Sequence, residues 1–404
     1  MHDNKTLGDD RRRFLKQGLA ASLLAGGATG SRAEPGVGAQ TLTFGTSIPL
    51  TGPLGGAGTE LAAGVRAAFA AVNRSGGVLG RELRLEVLDD GYQPERTVQN
   101  VRQLLDQDRV LGFVSLLGTS NVAAAMPLIE QQGVPCVGML TGAGVLRRPE
   151  SRHLFHVRAS YAQETERVVE MLAGSGIQRL AVVYLDNGFG KDVLANAQRA
   201  LELGRMGLSG AHALAVDGAN AQAVADAVIA GKPAAVLLGT TGTASTALIK
   251  ALRARQAGLP LAGISVTVIG SELAKLGPAL QGMALTQVMP DPERQKLLVA
   301  RQFQAAMKAN NETTTGTTAF EGWINAQLLV EGLRRAGREP TREKLRNALA
   351  GIRRFEVGDL ALGYPSDAPP YVASRYVELD RKSTRLNSSH SQHLVCRLLL
   401  EKKK

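Results

Sequence analysis

Few side chains in this chain stand at spacings that do chemistry. His153 and His156 are three residues apart in an apparent strand, so they face opposite sides and do not share a metal. Asp89-Asp90-Gly91 follows a strand-like run and offers one acidic pair with a turn glycine, the usual composition of a strand end. Gly56-Ala57-Gly58 follows another such run, but Leu61 stands where a dinucleotide fingerprint needs its third glycine. Cys136 lies in an apolar run and reads as a small core residue, and Cys396 lies far away near the end of the chain. There is no G-x-S-x-G elbow, no phosphate loop ending in G-K-[ST] and no H-E-x-x-H. The sequence therefore argues against an enzyme, a resident metal and a cofactor, and for a protein that binds.

The elements that would position a binding site alternate between strand and helix. Residues 41–48 read as a first strand and residues 60–73 as a helix, with Leu61, Val65, Ala68, Phe69 and Val72 on one face. Residues 82–88 alternate as a second strand. Residues 95–107 read as a second helix, with Val98, Val101, Leu104 and Leu105 inward. The apolar runs at 110–116, 134–139, 180–185 and 234–238 suit strands buried on both faces of a parallel sheet. Such alternation predicts an α/β fold of open, doubly wound sheets, and the length calls for two of them. The first crossing between them is expected at 158–163, the second near 288–292 and the third near 358–365. One lobe then holds residues 41–158 plus 290–360, and the other 159–289 plus 361–381.

Open α/β sheets bind ligands beyond the carboxyl ends of their strands. The segments there are 49–59 (with Gly55), 118–121, 140–144, 187–191 and 239–245, all rich in Gly, Ser or Thr. Each alone would serve to close a turn or cap a helix. Five at equivalent places predict a site that offers N–H and hydroxyl groups to a carboxylate.

The net charge of +11 is concentrated at the ends: the first forty residues carry +2 and the last twenty-three +5. That distribution argues against nucleic acid as a partner. Arg11-Arg12-Arg13-Phe14-Leu15-Lys16 fits the twin-arginine export pattern. The apolar stretch that follows is too short to span a bilayer, and Ser31-Arg32-Ala33 offers a small-x-small cleavage site. Residues 1–33 are thus expected to be a signal peptide that directs the protein to the periplasm. Residues 382–404 do not continue the preceding pattern, resemble a translated adapter read-through, and are set aside as an artefact.

Several motifs, in order, carry a family resemblance. They are Ile48-Pro-Leu-Thr-Gly-Pro53, Asn73-Arg-Ser-Gly-Gly-Val-Leu-Gly-Arg-Glu82, Leu88-Asp-Asp-Gly-Tyr-Gln-Pro94, Gly118-Thr-Ser120, Tyr184-Leu-Asp-Asn-Gly-Phe-Gly190 and Ala319-Phe-Glu-Gly-Trp323. From about Thr41 to Asp380 the chain resembles periplasmic solute-binding proteins of the leucine/isoleucine/valine type. The resemblance implies two Rossmann-like lobes joined by three hinge crossovers, a ligand clamped between them, and delivery to an ATP-driven permease in the inner membrane. It implies a monomer without a cofactor; a periplasmic sensor on the same fold is the alternative. Carried over by position, the ligand contacts fall on Thr119, Ser120, Leu140, Thr141 and Gly142 of the first lobe. Those of the second are Tyr161, Phe189 at the aromatic lid, Thr240, Thr241, Thr243 and Ser265. Amino-acid receptors of this type hold the ammonium with acidic side chains at the places occupied here by Tyr161 and Ser265. A desolvated ammonium without a carboxylate is costly. The expected ligand is therefore an aromatic or aliphatic carboxylate, or a related amide, and not an α-amino acid, in a cleft lined by hydroxyls and apolar groups.

Overall fold

A computed structural model describes residues 34–381. The signal segment and the anomalous tail read above lie outside the described residues.

In chain order the elements are β1 (Thr41–Ile48), α1 (Gly55–Arg74), β2 (Glu82–Asp89), α2 (Pro94–Asp106), β3 (Gly112–Val114), α3 (Thr119–Gln131), β4 (Cys136–Val137) and β5 (Leu154–His156). Then come α4 (Tyr161–Gly174), β6 (Arg179–Leu185), α5 (Gly188–Leu203), β7 (Gly207–Leu214), α6 (Ala221–Ala230), β8 (Ala235–Gly239), α7 (Gly242–Arg255), β9 (Leu261–Gly263), α8 (Glu272–Leu276) and β10 (Ala284–Gln287). The last are α9 (Leu298–Ala309), α10 (Thr317–Ala336), α11 (Arg342–Ala350), β11 (Phe355–Val357), β12 (Leu360–Leu362), β13 (Tyr371–Val372) and β14 (Glu378–Arg381).

Two six-stranded sheets result, ordered β13-β5-β4-β3-β1-β2 and β14-β10-β9-β8-β6-β7. Every pairing in the first is parallel, and in the second only β14 runs antiparallel, against β10. The doubly wound α/β reading of the sequence holds. The short apolar runs explain why. Phe113, Cys136 and Leu154 face a core with Val101, Ile129 and Met139, while their neighbours Val114, Val137 and Phe155 face the opposite core with Phe44, Phe320 and Trp323. Strands covered on both faces need apolar residues at every position, not at alternate ones.

The chain passes between the sheets three times: from β5 to α4, after β10, and from β13 to β14. The third passage corrects the sequence reading. Residues 358–365 do not cross, because β13 still pairs with β5 (Tyr371 opposite Phe155), and the chain leaves the first sheet only after Val372. Tyr364 and Tyr371 pack on Phe155 at centroid distances of 5.5 and 4.8 Å, which ties this late segment to the first lobe.

The chemistry-bearing residues considered first turn out to serve packing. Asp89 accepts from the N–H of Leu50 (2.8 Å), Thr51 and Gly91 (2.9 Å) and from the Thr51 hydroxyl (2.7 Å), closing the turns after β1 and β2. His153 pairs with Glu130 at 2.6 Å, and buried His156 bonds the Leu146 carbonyl at 3.1 Å. Gly56-Ala57-Gly58 lies in the first turn of α1, not in a loop before a helix. Cys136 is buried in β4.

Candidate functional site

The carboxyl ends of both sheets meet across one cleft. From the first lobe come the turn opening α1, the N-terminus of α3, and the segment after β4. From the second come the N-termini of α4, α5 and α7 and the segment after β9. The two rims touch. The N–H of Tyr161 donates to the Gly142 carbonyl (2.9 Å), the N–H of Gly188 to the Ser120 hydroxyl (3.2 Å), and the N–H of Gly144 to an Asp192 carboxylate oxygen (3.1 Å). Apolar packing continues between the lobes, with Ile48, Leu54, Leu61 and Leu140 in the same cluster as the core of the second sheet.

Most of the sequence-selected residues gather at this junction. Thr119 and Thr141 are buried and share a hydrogen bond of 2.8 Å. Tyr161 packs edge-on to Phe189 at 5.2 Å, with both rings buried, and its hydroxyl bonds to Thr141. Gly142 is buried so tightly beneath Tyr161 that a Cβ there would come within 2.7 Å of the ring. Thr240 bonds Ser245, and Thr241 donates to the Val266 carbonyl, both at 2.5 Å. Buried Gly55 starts α1, and half-buried Ser120 holds Gly188. Leu140 and Ser265 line a cavity described below. Thr243 is apart from these: it is exposed on the first turn of α7.

Beside the crossings lies a small cavity of about 10 Å³, partly open to solvent. Leu140, Val266, Ile269, Val288 and Met289 make its apolar wall; Arg158, Ser265 and Glu321 make its polar one. Here the structure corrects the expectation of hydroxyls and apolar groups alone. Arg158, on the first crossing, is 1 % exposed and stands between Glu164 of α4 (3.4 Å, 0 % exposed) and Glu321 of α10 (3.6 Å, 5 % exposed). Its Nη2 also donates to the Ser265 hydroxyl. Glu164 accepts further bonds from the Ser265 N–H (2.7 Å) and the Thr286 hydroxyl (2.6 Å), so both its oxygens are satisfied. The Nε and Nη1 of Arg158 and the Oε1 of Glu321 are buried and make no hydrogen bond within the protein.

The electrostatics follow from this packing. Burial pushes the Glu321 carboxyl above its ordinary range; Arg158 pulls it back and Glu164 repels it further, with a net rise. Burial likewise raises Tyr161, against the pull of Arg158, whose guanidinium lies 5.7 Å from the ring centroid. Burial lowers Arg147 to about 10, helped by its neighbour Arg158. Arg147 is spent on the backbone, donating to the carbonyls of Arg158 and Ala159.

The argument against an ammonium in the cleft loses its premise, because Ser265 is bonded directly to an acid that α4 supplies. That acid is nevertheless neutralised by Arg158, and Glu321 is the surplus carboxyl. Sequence reasoning passed over all three. Arg158 read only as the start of the first crossing, and Glu321 only as part of the Ala319–Trp323 motif. The available signal was a cation in the strand-like run Leu154-Phe-His-Val-Arg-Ala159, where burial demands a partner.

Among the described residues no helix is long and apolar enough to cross a membrane, and no cluster of three or more potential metal-ligating side chains occurs. The sequence model of a family described as periplasmic binding protein matches residues 41–367. A solved substrate-binding periplasmic protein from Ralstonia solanacearum is 30 % identical, superposes with a TM-score of 0.78, and covers 85 % of this chain and 98 % of its own. The leucine-, isoleucine-, valine-, threonine- and alanine-binding protein of Pseudomonas aeruginosa is 25 % identical over 83 % of this chain and 87 % of its own. A Leu/Ile/Val-binding protein homologue of Brucella suis is also 25 % identical, but the match spans about half of each protein, 45 % of this chain and 46 % of the homologue. These relatives are binding proteins, not enzymes.

Proposed function

Because the chain belongs to the periplasmic binding protein family, of the Leu/Ile/Val-binding type, we propose that it is the solute-binding receptor of an ABC uptake transporter. In this reading it works as a monomer, exported on its twin-arginine signal, and hands a small carboxylate-bearing ligand to an inner-membrane permease. The observation that carries the reading is the convergence of strand ends from both sheets on one cleft whose rims touch. A ligand seated there contacts both lobes only when they are closed, and so shifts the population toward the closed form. The hydroxyls and helix N-termini of the rim, with buried Arg158, supply the donors that a carboxylate needs. The amino acids named for the Pseudomonas relative all carry that group.

A thermal-shift screen across amino acids, aromatic acids, short-chain acids and their amides tests this. Binding to the native state alone must raise the melting temperature, by an amount that grows with ligand concentration. At least one carboxylate-bearing compound is expected to do so; a flat response across the whole screen sinks the receptor reading. Loss of periplasmic recovery in an Arg12→Lys variant tests the export route, and unchanged recovery rules it out.

A further inference from the structure

We propose that the Arg158–Glu321 pair is the polar end of the ligand site and that it takes a carboxyl group together with one shared proton. This assignment rests on the receptor reading above and adds to it the group that recognises the ligand and the protonation state in which it is bound.

The geometry starts from unused bonding capacity. Arg158 spends Nη2 on Glu164 and Ser265, which leaves Nη1 and Nε without hydrogen bonds. Glu321 leaves Oε1 without one. Both residues line the same cavity, and their ends lie 3.6 Å apart. A buried donor and a buried acceptor left unmatched side by side are costly. A group that accepts and donates at adjacent atoms satisfies both. A carboxylic acid does so, its carbonyl oxygen accepting from Arg158 and its O–H donating to Glu321. A primary amide does the same with its N–H.

Charge decides the protonation. Arg158 already faces two carboxyls, Glu164 at 3.4 Å and Glu321 at 3.6 Å. A carboxylate ligand beside an ionised Glu321 would put a third negative group on one cation whose polar atoms are buried. Two carboxyls forced together hold one proton between them. A carboxylate ligand therefore enters with a proton taken from solvent, or uses the one that Glu321 holds. The remaining lining of Leu140, Val266, Ile269, Val288 and Met289 is apolar, and these side chains must part from a cavity of about 10 Å³ to admit an apolar body behind the carboxyl.

The charged and titratable groups around the pair are Glu164 and Tyr161 on α4 and Arg147 behind Arg158. Glu60, on the α1 face that packs against α10, titrates near pH 7 and serves as a control position.

The test is calorimetry at several pH values from 6 to 9, each in two buffers of different ionisation enthalpy. The probes are benzoate with benzamide, and isovalerate with isovaleramide. At least one acid is expected to bind with proton uptake that rises toward one per ligand as pH increases. Above the pKa of Glu321 its affinity should fall about tenfold per pH unit. The matching amide, whose N–H donates best to the ionised carboxylate, should bind with no proton uptake and should not lose affinity as pH rises. Glu321→Gln, a neutral isostere, should abolish the proton uptake and leave the acid's affinity level with pH. Glu60→Gln should leave the uptake unchanged. A merely structural Glu321 would not alter the proton count. Acid binding with no proton uptake at any pH, or uptake that persists in Glu321→Gln, overturns the proposal while leaving the receptor reading intact. Failure of all four probes to bind at millimolar concentration overturns the carboxyl assignment as well. Only a flat result across the wider screen would overturn the receptor itself.

Discussion

At the scale of single residues, burial turns ordinary carboxyls into pH-sensitive ones. Glu60 on α1 is 9 % exposed, and burial alone raises its pKa from 4.5 to about 7. The sign follows directly. In the folded state Glu60 binds its proton more tightly than in the unfolded chain, so its contribution is fully favourable below about pH 4.5 and is lost as pH rises through about 7. Glu60→Gln cannot ionise and escapes that loss. The variant should match the wild type at pH 4.5 and exceed it at pH 8 by on the order of 2 kcal/mol. Denaturant melts at the two pH values check this, and parallel stability profiles for the two proteins would show that Glu60 is not the group responsible. Asp89 shows the opposite balance. Burial pushes it up, but the Thr51 hydroxyl and the N–H groups of Gly91, Leu50 and Thr51 outweigh that and hold it at about 2. The acidic pair Asp89-Asp90 is thus a device for fixing the turn beside the cleft.

At the scale of elements, the position of the polar cluster depends on how closely α1 and α10 approach. A Cβ on Gly64 of α1 would lie 1.9 Å from the Ala319 carbonyl oxygen, and one on Gly322 of α10 would lie 2.3 Å from that of Leu61. The two helices therefore meet backbone to backbone, and Glu321 sits next to that contact. Asn325, one turn on, bonds the Gly138 carbonyl (2.7 Å) and the Ser115 hydroxyl (3.0 Å), pinning α10 to the first sheet. Gly64→Val should push the helices apart and cost about 3 kcal/mol, read as a lower denaturation midpoint at unchanged slope. A loss under about 0.5 kcal/mol would mean that the crossing relaxes freely. The elements were legible to different depths. The long periodic segments of α1 and α2 and the doubly buried runs of β3, β4, β6 and β8 announce themselves in hydrophobic pattern. β7 does not: its Gly-Leu-Ser-Gly-Ala-His-Ala-Leu is an edge strand, mostly half-exposed and built of small residues. β13 is two residues long and exists because β5 offers it an edge, which is also why the third crossing was misplaced. The rim residues Thr119 and Thr141 could be read because they follow strands, and Tyr161 because the family resemblance carries a contact to its position. The Arg158–Glu321 pair could not, because its partners come from elements far apart in the chain, and no local spacing reports a contact made by tertiary packing.

At the scale of the whole molecule, the proposed receptor function requires that the lobes close over a ligand, and closure is a balance between contacts across the cleft and freedom in three crossings. The contacts at the rim are few and specific. Asp192 of α5 accepts from Gly144 of the first lobe at 3.1 Å, and Ser120 of the first lobe accepts from Gly188 at 3.2 Å. Burial raises the Asp192 carboxyl, with the Gly144 N–H, Asn196 and Arg147 opposing it, so the group stands on the border between solvent and protein. If these bonds exist only in the closed form, they contribute to ligand affinity and not to the stability of either lobe. Asp192→Ala and Ser120→Ala should then each weaken the tightest ligand of the thermal-shift screen by about three- to tenfold, the worth of one partly exposed hydrogen bond of roughly 1 kcal/mol. The melting temperature without ligand should hardly move. Small-angle scattering gives the matching structural readout: a ligand should shrink the radius of gyration of the wild type, and at equal subsaturating concentration shrink that of the variants less. The opposite pattern, in which the variants melt lower but bind as tightly as the wild type, would place these bonds in both forms of the protein. The work of closure would then fall to the ligand and to the Arg158 cluster that joins the first crossing to both lobes.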